Sequence, residues 1–259
     1  MNIKKLLRVA AVTSALSFVF VTGCSEVGSK NTDTQADNSR AVNLKSVSMK
    51  SKDDMKNAMY IRNESISSPD EAKKLLVEGN KRFVSGKVLS KDLSKHKLDD
   101  LSKNGQKPFA VIVSCADSRV PPEIIFDQAL GDIFVVRDAG NIVDEVELGS
   151  IEYGAEHLKA PLIVVLGHEN CGAVKAAVEG GEAPGSIKAV VDKIKPSYDK
   201  VKALKVSEDE KCKRCEDENI KNSVAEIRKS KIIKQLEEEK KIEVISAKYH
   251  INTGEVAFN

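Results

Sequence analysis

Four short apolar runs punctuate the second half of the chain, at residues 109–113, 133–136, 162–166 and, more weakly, 242–247. Unlike half-exposed strands, they do not alternate with polar residues. Unbroken runs of this length predict strands buried on both faces, as in a parallel sheet. Between them the apolar spacing becomes helical. Leu148, Ile151, Ala155 and Leu158 make one stripe. Ile187, Val190, Val191 and Ile194 make another, which Pro196 is expected to interrupt. Ser207, with Glu210 three residues on, starts a long helix near Glu208, and Ser230 caps a last one. Upstream, Ser68-Pro69-Asp70-Glu71 has a capping residue, a proline suited to the first turn and an acid at the capping-box position. Leu75, Leu76, Gly79 and Phe83 continue that helix toward Gly86, and the Lys-rich residues 87–107 read as irregular. Asn252-Thr253-Gly254 reads as a turn into a final strand at 256–258. The pattern predicts an α/β domain over 66–259: a central, mainly parallel β-sheet flanked by helices, with a short C-terminal edge strand.

The first 65 residues follow different rules. Residues 25–65 are rich in Ser, Asn, Asp and Lys. Such a segment buries too little to offset its ordering entropy, and it is expected to be a tether. Ahead of it, Lys4, Lys5 and Arg8 precede an uncharged run at 9–21. That run is short for a membrane span, which needs about 20 residues, but it suits the core of a secretory signal. It ends Val21-Thr22-Gly23-Cys24. Small residues before a cysteine resemble the lipobox of bacterial lipoproteins. The resemblance implies cleavage ahead of Cys24, lipidation of Cys24 and a membrane-anchored, extracytoplasmic protein. An ordinary cleaved signal, giving a secreted or periplasmic soluble protein, is the alternative.

Charge narrows the partners. The chain of 259 residues has 41 basic and 39 acidic side chains, and three of the bases but no acid precede Cys24. The body is therefore nearly neutral, which argues against a nucleic-acid binder or a polybasic membrane-surface protein. Five cysteines are too few for a disulfide scaffold of this size but enough for one metal site.

Two strand ends carry the candidate chemistry. The run at 109–113 leads into Ser114-Cys115-Ala116-Asp117-Ser118-Arg119, and the run at 162–166 into Gly167-His168-Glu169-Asn170-Cys171-Gly172. Ligands of open α/β sheets bind at the carboxyl ends of strands, so Cys115 can meet His168 and Cys171 there. A helix starting at His168 would put His168 and Cys171 on one face. Two thiolates and an imidazole suit Zn²⁺, and three protein ligands leave a fourth position open, the pattern of a catalytic zinc.

These residues resemble the β-class carbonic anhydrases. The resemblance covers about 68–258. It rests on Cys115-Ala116-Asp117-Ser118-Arg119-Val120, on Gly131-Asp132-Ile133-Phe134-Val135-Val136-Arg137-Asp138-Ala139-Gly140-Asn141, and on Gly167-His168-Glu169-Asn170-Cys171-Gly172-Ala173. Asp138 departs from the uncharged residue usual in that family. By position, the resemblance implies one zinc per chain on Cys115, His168 and Cys171, and an Asp117–Arg119 dyad beside it. It also implies reversible hydration of CO₂ to bicarbonate and a proton by a zinc-bound hydroxide, with the Gly172 backbone near the substrate. A homodimer or higher homo-oligomer is implied as well. Relatives of that family act on CS₂ or COS, which the motifs do not separate from CO₂. A non-catalytic zinc or thiol lipoprotein is the remaining alternative; it would centre its reactivity on Cys212 and Cys215.

Cys212 and Cys215 form a lone CxxC. They fall on or beside the stripe that Ile220, Val224 and Ile227 continue, so a structural pair is expected rather than a redox site, with its redox state left open. His96, His157 and His250 are expected to be structural or solvated.

Overall fold

Ala110 and Ile112 turn to one side of the central strand, Val111 and Val113 to the other, and all four are fully buried. That is why the first apolar run does not alternate. The structure, a computed structural model, describes residues 41–43, 59–62 and 65–259. Its main sheet has the order β5-β4-β6-β7-β8. β4 (Ala110–Cys115), β5 (Ile133–Asp138), β6 (Leu162–His168) and β7 (Glu243–Tyr249) are parallel, and β8 (Val256–Phe258) closes one edge antiparallel to β7. The expected α/β class, with its mainly parallel sheet and short final edge strand, is the one observed.

Helices cover both faces. α1 (Pro69–Val84), capped by Ser68, buries Ala72 and Leu76 on one face beside Ile125 of the short α3 (Pro122–Ile125). The opposite face is covered by α4 (Glu145–Glu152) with the π-helical turn Tyr153–His157, by α7 (Glu208–Ile227) and by α8 (Lys231–Glu238). At the carboxyl ends of the strands, α5 (Gly172–Glu179), α6 (Ile187–Val201) and α7 enclose a third apolar cluster that includes Cys115 and Cys171. β6 and α7 lie close together at Gly167, where an added Cβ would stand 2.3 Å from Cγ1 of Ile220.

Three expectations need correcting. Residues 87–107 are not irregular: they hold β3 (Ser90–Lys91) and α2 (Lys95–Asn104), the latter capped by Ser94. α2 buries no residue, so it has no apolar stripe to read. Pro196 does not interrupt α6, which continues to Val201. Ile194, Ser197 and Val201 on either side of it are buried, and this packing outweighs the backbone hydrogen bond that proline removes. Within the segment expected to be tether, β2 (Met59–Ile61) pairs with β1 (Ala41–Asn43) and with β3. Tyr60 is buried there with its hydroxyl on Gln128, and Arg62 donates to Asp132 at 2.9 Å. Residues 1–24, with the lipobox and Cys24, lie outside the described residues. Among those described, no helix is long and apolar enough to cross a membrane.

Candidate metal centre

The strand register sets the site. β4 and β6 are neighbours in the sheet, and each ends on a candidate ligand, Cys115 and His168. The chain then reverses within two residues. Asn170 takes φ +55°, a conformation that Asn tolerates better than most side chains. Cys171 follows in the cap position ahead of α5, with extended backbone angles. His168 and Cys171 therefore do not share a helix face, as their spacing suggested: one ends a strand and the other precedes a helix. The reversal still brings them together. The ligand atoms of Cys115, His168 and Cys171 all lie within 4.8 Å of one another, and all three residues are buried.

The surrounding groups orient each ligand. His168 Nδ1–H donates to the Glu169 carbonyl at 2.8 Å, which leaves Nε2 to face the thiols. Nε2 is buried and has no protein hydrogen-bond partner. This orientation, with one ring nitrogen held by a carbonyl and the other free, is that of a metal-bound histidine. The Gly140 N–H donates to Cys115 Sγ at 3.2 Å. The contact with the Cys171 thiol, helped by this N–H, holds the Cys115 thiol well below the ordinary thiol range, while the same contact and burial push Cys171 up. Burial disfavours charge on His168, but the neighbouring Cys115 sulfur, the Glu169 carbonyl and the Asp117 charge together outweigh it and raise it. The three groups compete for protons that a divalent ion would displace, so the donor set fits a soft-ligand metal.

The dyad stands outside the ligand cluster. Arg119 Nε donates to Asp117 Oδ1 at 2.9 Å, and Nη2 donates to Oδ2 at 2.7 Å. These bonds hold the Asp117 carboxyl at about 2. Arg119 Nη2 also reaches the Asn170 carbonyl at 3.2 Å, tying the dyad to the loop between the other two ligands. Arg137 braces the same corner from β5, donating to the carbonyls of Cys115 at 2.9 Å and Asp117 at 2.7 Å. This brace was within reach of sequence reasoning, since Arg137 lies in one of the quoted motifs; its reach across the sheet was not.

The model of the carbonic anhydrase family matches residues 110–256, the stretch that contains Cys115, His168, Cys171 and the Asp117–Arg119 pair. The chain belongs to the carbonic anhydrase family. It is 50% identical over 135 residues to a carbonic anhydrase of Mycolicibacterium smegmatis. It is 52% identical over 135 residues to carbonic anhydrase 2 of Mycobacterium tuberculosis. Each match covers 51% of this chain and 65% of the relative, just under two thirds of its length. Among solved structures, a tetrameric β-carbonic anhydrase of the filamentous ascomycete Sordaria macrospora is similar at 26% identity and TM-score 0.57, over 63% of this chain and 87% of that one. A Coccomyxa β-carbonic anhydrase in complex with acetazolamide is similar at 28% identity and TM-score 0.56, over 63% of this chain and 81% of that one. Both of these similar structures are of β-class carbonic anhydrases.

The other residues singled out in the sequence divide. Gly172 opens α5 beside the candidate ligand Cys171, and an added Cβ there would meet nothing within 4 Å. Asp138, the departure from the family pattern, accepts from the Ile142 N–H at 2.9 Å, and burial with the nearby Glu147 charge pushes its carboxyl up to about 7. Cys212 and Cys215 are free thiols on α7, and Cys215 is fully buried. Burial pushes both up, Cys215 to about 12, the opposite of an activated thiol. His157 stacks on Tyr153 with ring centres 4.8 Å apart, His250 pairs with Glu169 at 2.9 Å, and His96 is exposed on α2.

Proposed function

We propose that this chain is a zinc enzyme that reversibly hydrates carbon dioxide to bicarbonate and a proton. The observation that carries this reading is the buried set of two thiols and one imidazole, closed to within 4.8 Å, beside a carboxylate clamped by a guanidinium. Cys115, His168 and Cys171 would hold one Zn²⁺ per chain. When bound, the ion supplies Lewis acidity and a water of lowered pKa. Two thiolates cancel its formal charge, which weakens that acidification relative to a site of neutral ligands. The protein's own groups then matter more. Asp117 stays ionised, since Arg119 depresses its carboxyl, and it accepts and orients the hydrogen bond of the nucleophilic water. Arg119 occupies one side of both carboxylate oxygens and so keeps Asp117 from competing for the open coordination position. The Gly172 backbone offers an uncrowded approach for a small linear substrate. Asp117 lies at the protein surface, 18% exposed, where the released proton reaches buffer.

The reading extends to assembly and address. We infer a homodimer or higher homo-oligomer, supported by the tetrameric relative from Sordaria macrospora. We also infer lipidation at Cys24 and an extracytoplasmic, membrane-anchored protein, supported by the basic start, the uncharged run at 9–21 and the small residues before Cys24.

The deciding experiment is stopped-flow CO₂ hydration by purified protein lacking residues 1–24, with zinc counted by elemental analysis. One zinc per chain and hydration well above the buffer rate are expected. Full zinc occupancy with no hydration at any pH from 6 to 9 would overturn the reading.

A further inference from the structure

Glu216 and Lys248 form a buried ion pair that nothing above explains. Glu216 is on α7 and 4% exposed; its Oε2 lies 3.0 Å from Lys248 Nζ on β7. The Lys248 side chain is 14% exposed and also reaches Asp217 Oδ1 at 2.7 Å. Burial alone would strip the charge from Lys248, but its bonds to Asp217 and Glu216 outweigh burial and raise it, so the lysine is cationic. Burying such a pair costs more solvation than its attraction reliably returns, and apolar replacements are often as stable or more so. Stability is therefore a poor account of its presence.

The free end of the pair points to another role. Oε1 of Glu216 accepts from the backbone N–H of Cys171 at 3.3 Å. Cys171 stands where a helix normally has a Ser, Thr, Asp or Asn to cap its first turn, and its side chain makes no cap hydrogen bond. A thiol committed to a metal cannot serve as the cap. Glu216 meets the same backbone from α7, 45 residues away in sequence, and brings negative charge to the start of α5. Arg119 holds the preceding carbonyl, that of Asn170, from the opposite, exposed side. The ligand loop is thus gripped at consecutive residues by one cation and one anion.

We propose that Glu216, fixed by Lys248, is a positioning residue for the Cys171 ligand. It sets the backbone from which the thiolate projects and so governs how firmly the metal is kept. The proposal rests on the metal reading above.

The test compares zinc transfer to a chromogenic chelator, the thiolate-to-metal absorption of the Co²⁺-substituted protein, and the melting temperature of the metal-free protein. Wild type, Glu216→Gln, Glu216→Ala and the double variant Glu216→Leu/Lys248→Met are measured together. Removal of such an outer support typically weakens metal binding about 10–100-fold. Glu216→Ala and the double variant should release zinc about 10-fold faster or more, with a shifted Co²⁺ band. Glu216→Gln retains an acceptor oxygen and should stay within about 3-fold of wild type. The double variant replaces the pair with apolar side chains and should melt no lower than wild type. It therefore keeps the test open if Glu216→Ala fails to fold. A folded double variant with wild-type release and an unchanged Co²⁺ band would overturn the proposal. So would a lowered melting temperature with unaltered release. A wild-type protein unable to take up zinc would overturn the metal reading first, and this one with it.

Discussion

Arg119 and Asp117 are joined three times over: the guanidinium bonds both carboxylate oxygens, and the Arg119 backbone N–H adds a bond to Oδ1 at 2.9 Å. Two residues apart, they form a closed unit that turns the carboxylate toward its own chain. Arg119→Ala opens this unit and frees Asp117 to take the open metal position. Zinc should be retained while CO₂ hydration falls on the order of 10²-fold or more, within the range for positioned acid–base groups. Arg119→Lys should recover little, because an ammonium lacks the planar fork. Stopped-flow rates beside zinc analysis check both. Wild-type hydration by Arg119→Ala at neutral and alkaline pH would exclude this role.

Activity should rise toward alkaline pH, and the dyad should not set its midpoint. Asp117 is depressed to about 2, so what its pairing contributes is present above the ordinary carboxylate range and lost only as pH falls through about 2. Across pH 6 to 9 it is a constant anion. The clamp by Arg119 keeps Asp117 out of any titration in that range. A rate profile bending a second time between pH 4 and 6, in a protein shown to stay folded, would count against this.

Asp138 should make the metal-free protein less stable as pH rises. Burial and the charge of Glu147 raise its carboxyl to about 7, so the folded state holds the proton more tightly than the unfolded chain. Stability therefore declines from about pH 4 to about pH 7, and above that the full cost of a buried charge remains. Asp138→Asn keeps an acceptor for Ile142 and removes the charge. It should be the more stable protein at pH 8, with its advantage over wild type larger by about 1–3 kcal/mol than at pH 5. Urea unfolding at the two pH values measures this, and an advantage independent of pH would contradict it.

The cysteines should separate cleanly by function. Cys171→Ala removes one of three convergent ligands and should lose most bound zinc, whereas Cys212→Ala, outside the ligand cluster, should keep one zinc per chain. Elemental analysis of both variants decides it. At the other end of the chain, Cys24→Ser should release the protein from membranes, and mass spectrometry of the native N-terminus should find acylation at Cys24.

Two glycines near the site should behave oppositely. Gly167→Ala would force a Cβ into Ile220 and separate α7 from β6, costing about 1–3 kcal/mol as overpacked cores do. Gly172→Ala meets open space and should leave unfolding in urea nearly unchanged, so any loss of hydration there reports on the substrate's path.

What could be read from the sequence was whatever burial writes locally. Val111, Val113, Ile163 and Val165 are buried between two layers, so their strands stood out as unbroken apolar runs. Cys115 and His168 were legible because each directly ends such a strand. α2 was not, since a helix with no buried face leaves no periodic trace. Nor was the hold of Glu216 on Cys171, which depends on how α7 is laid against β6 and β7. The reversal at Asn170 was hidden because His-x-x-Cys spacing fits a helix face as well as a strand end followed by a cap.

The ligand set is unequal in sequence: His168 and Cys171 are three residues apart, while Cys115 arrives from a different strand. An unfolded chain keeps the near pair at chelating distance and loses only the distant partner. Metal can therefore hold two ligands before the sheet exists, and closing the site then requires β4 to dock beside β6. Such binding to the unfolded chain would offset part of the stabilisation that a bound metal gives the native state. In return, a chain still folding could carry a bound metal into the site instead of waiting for a finished pocket.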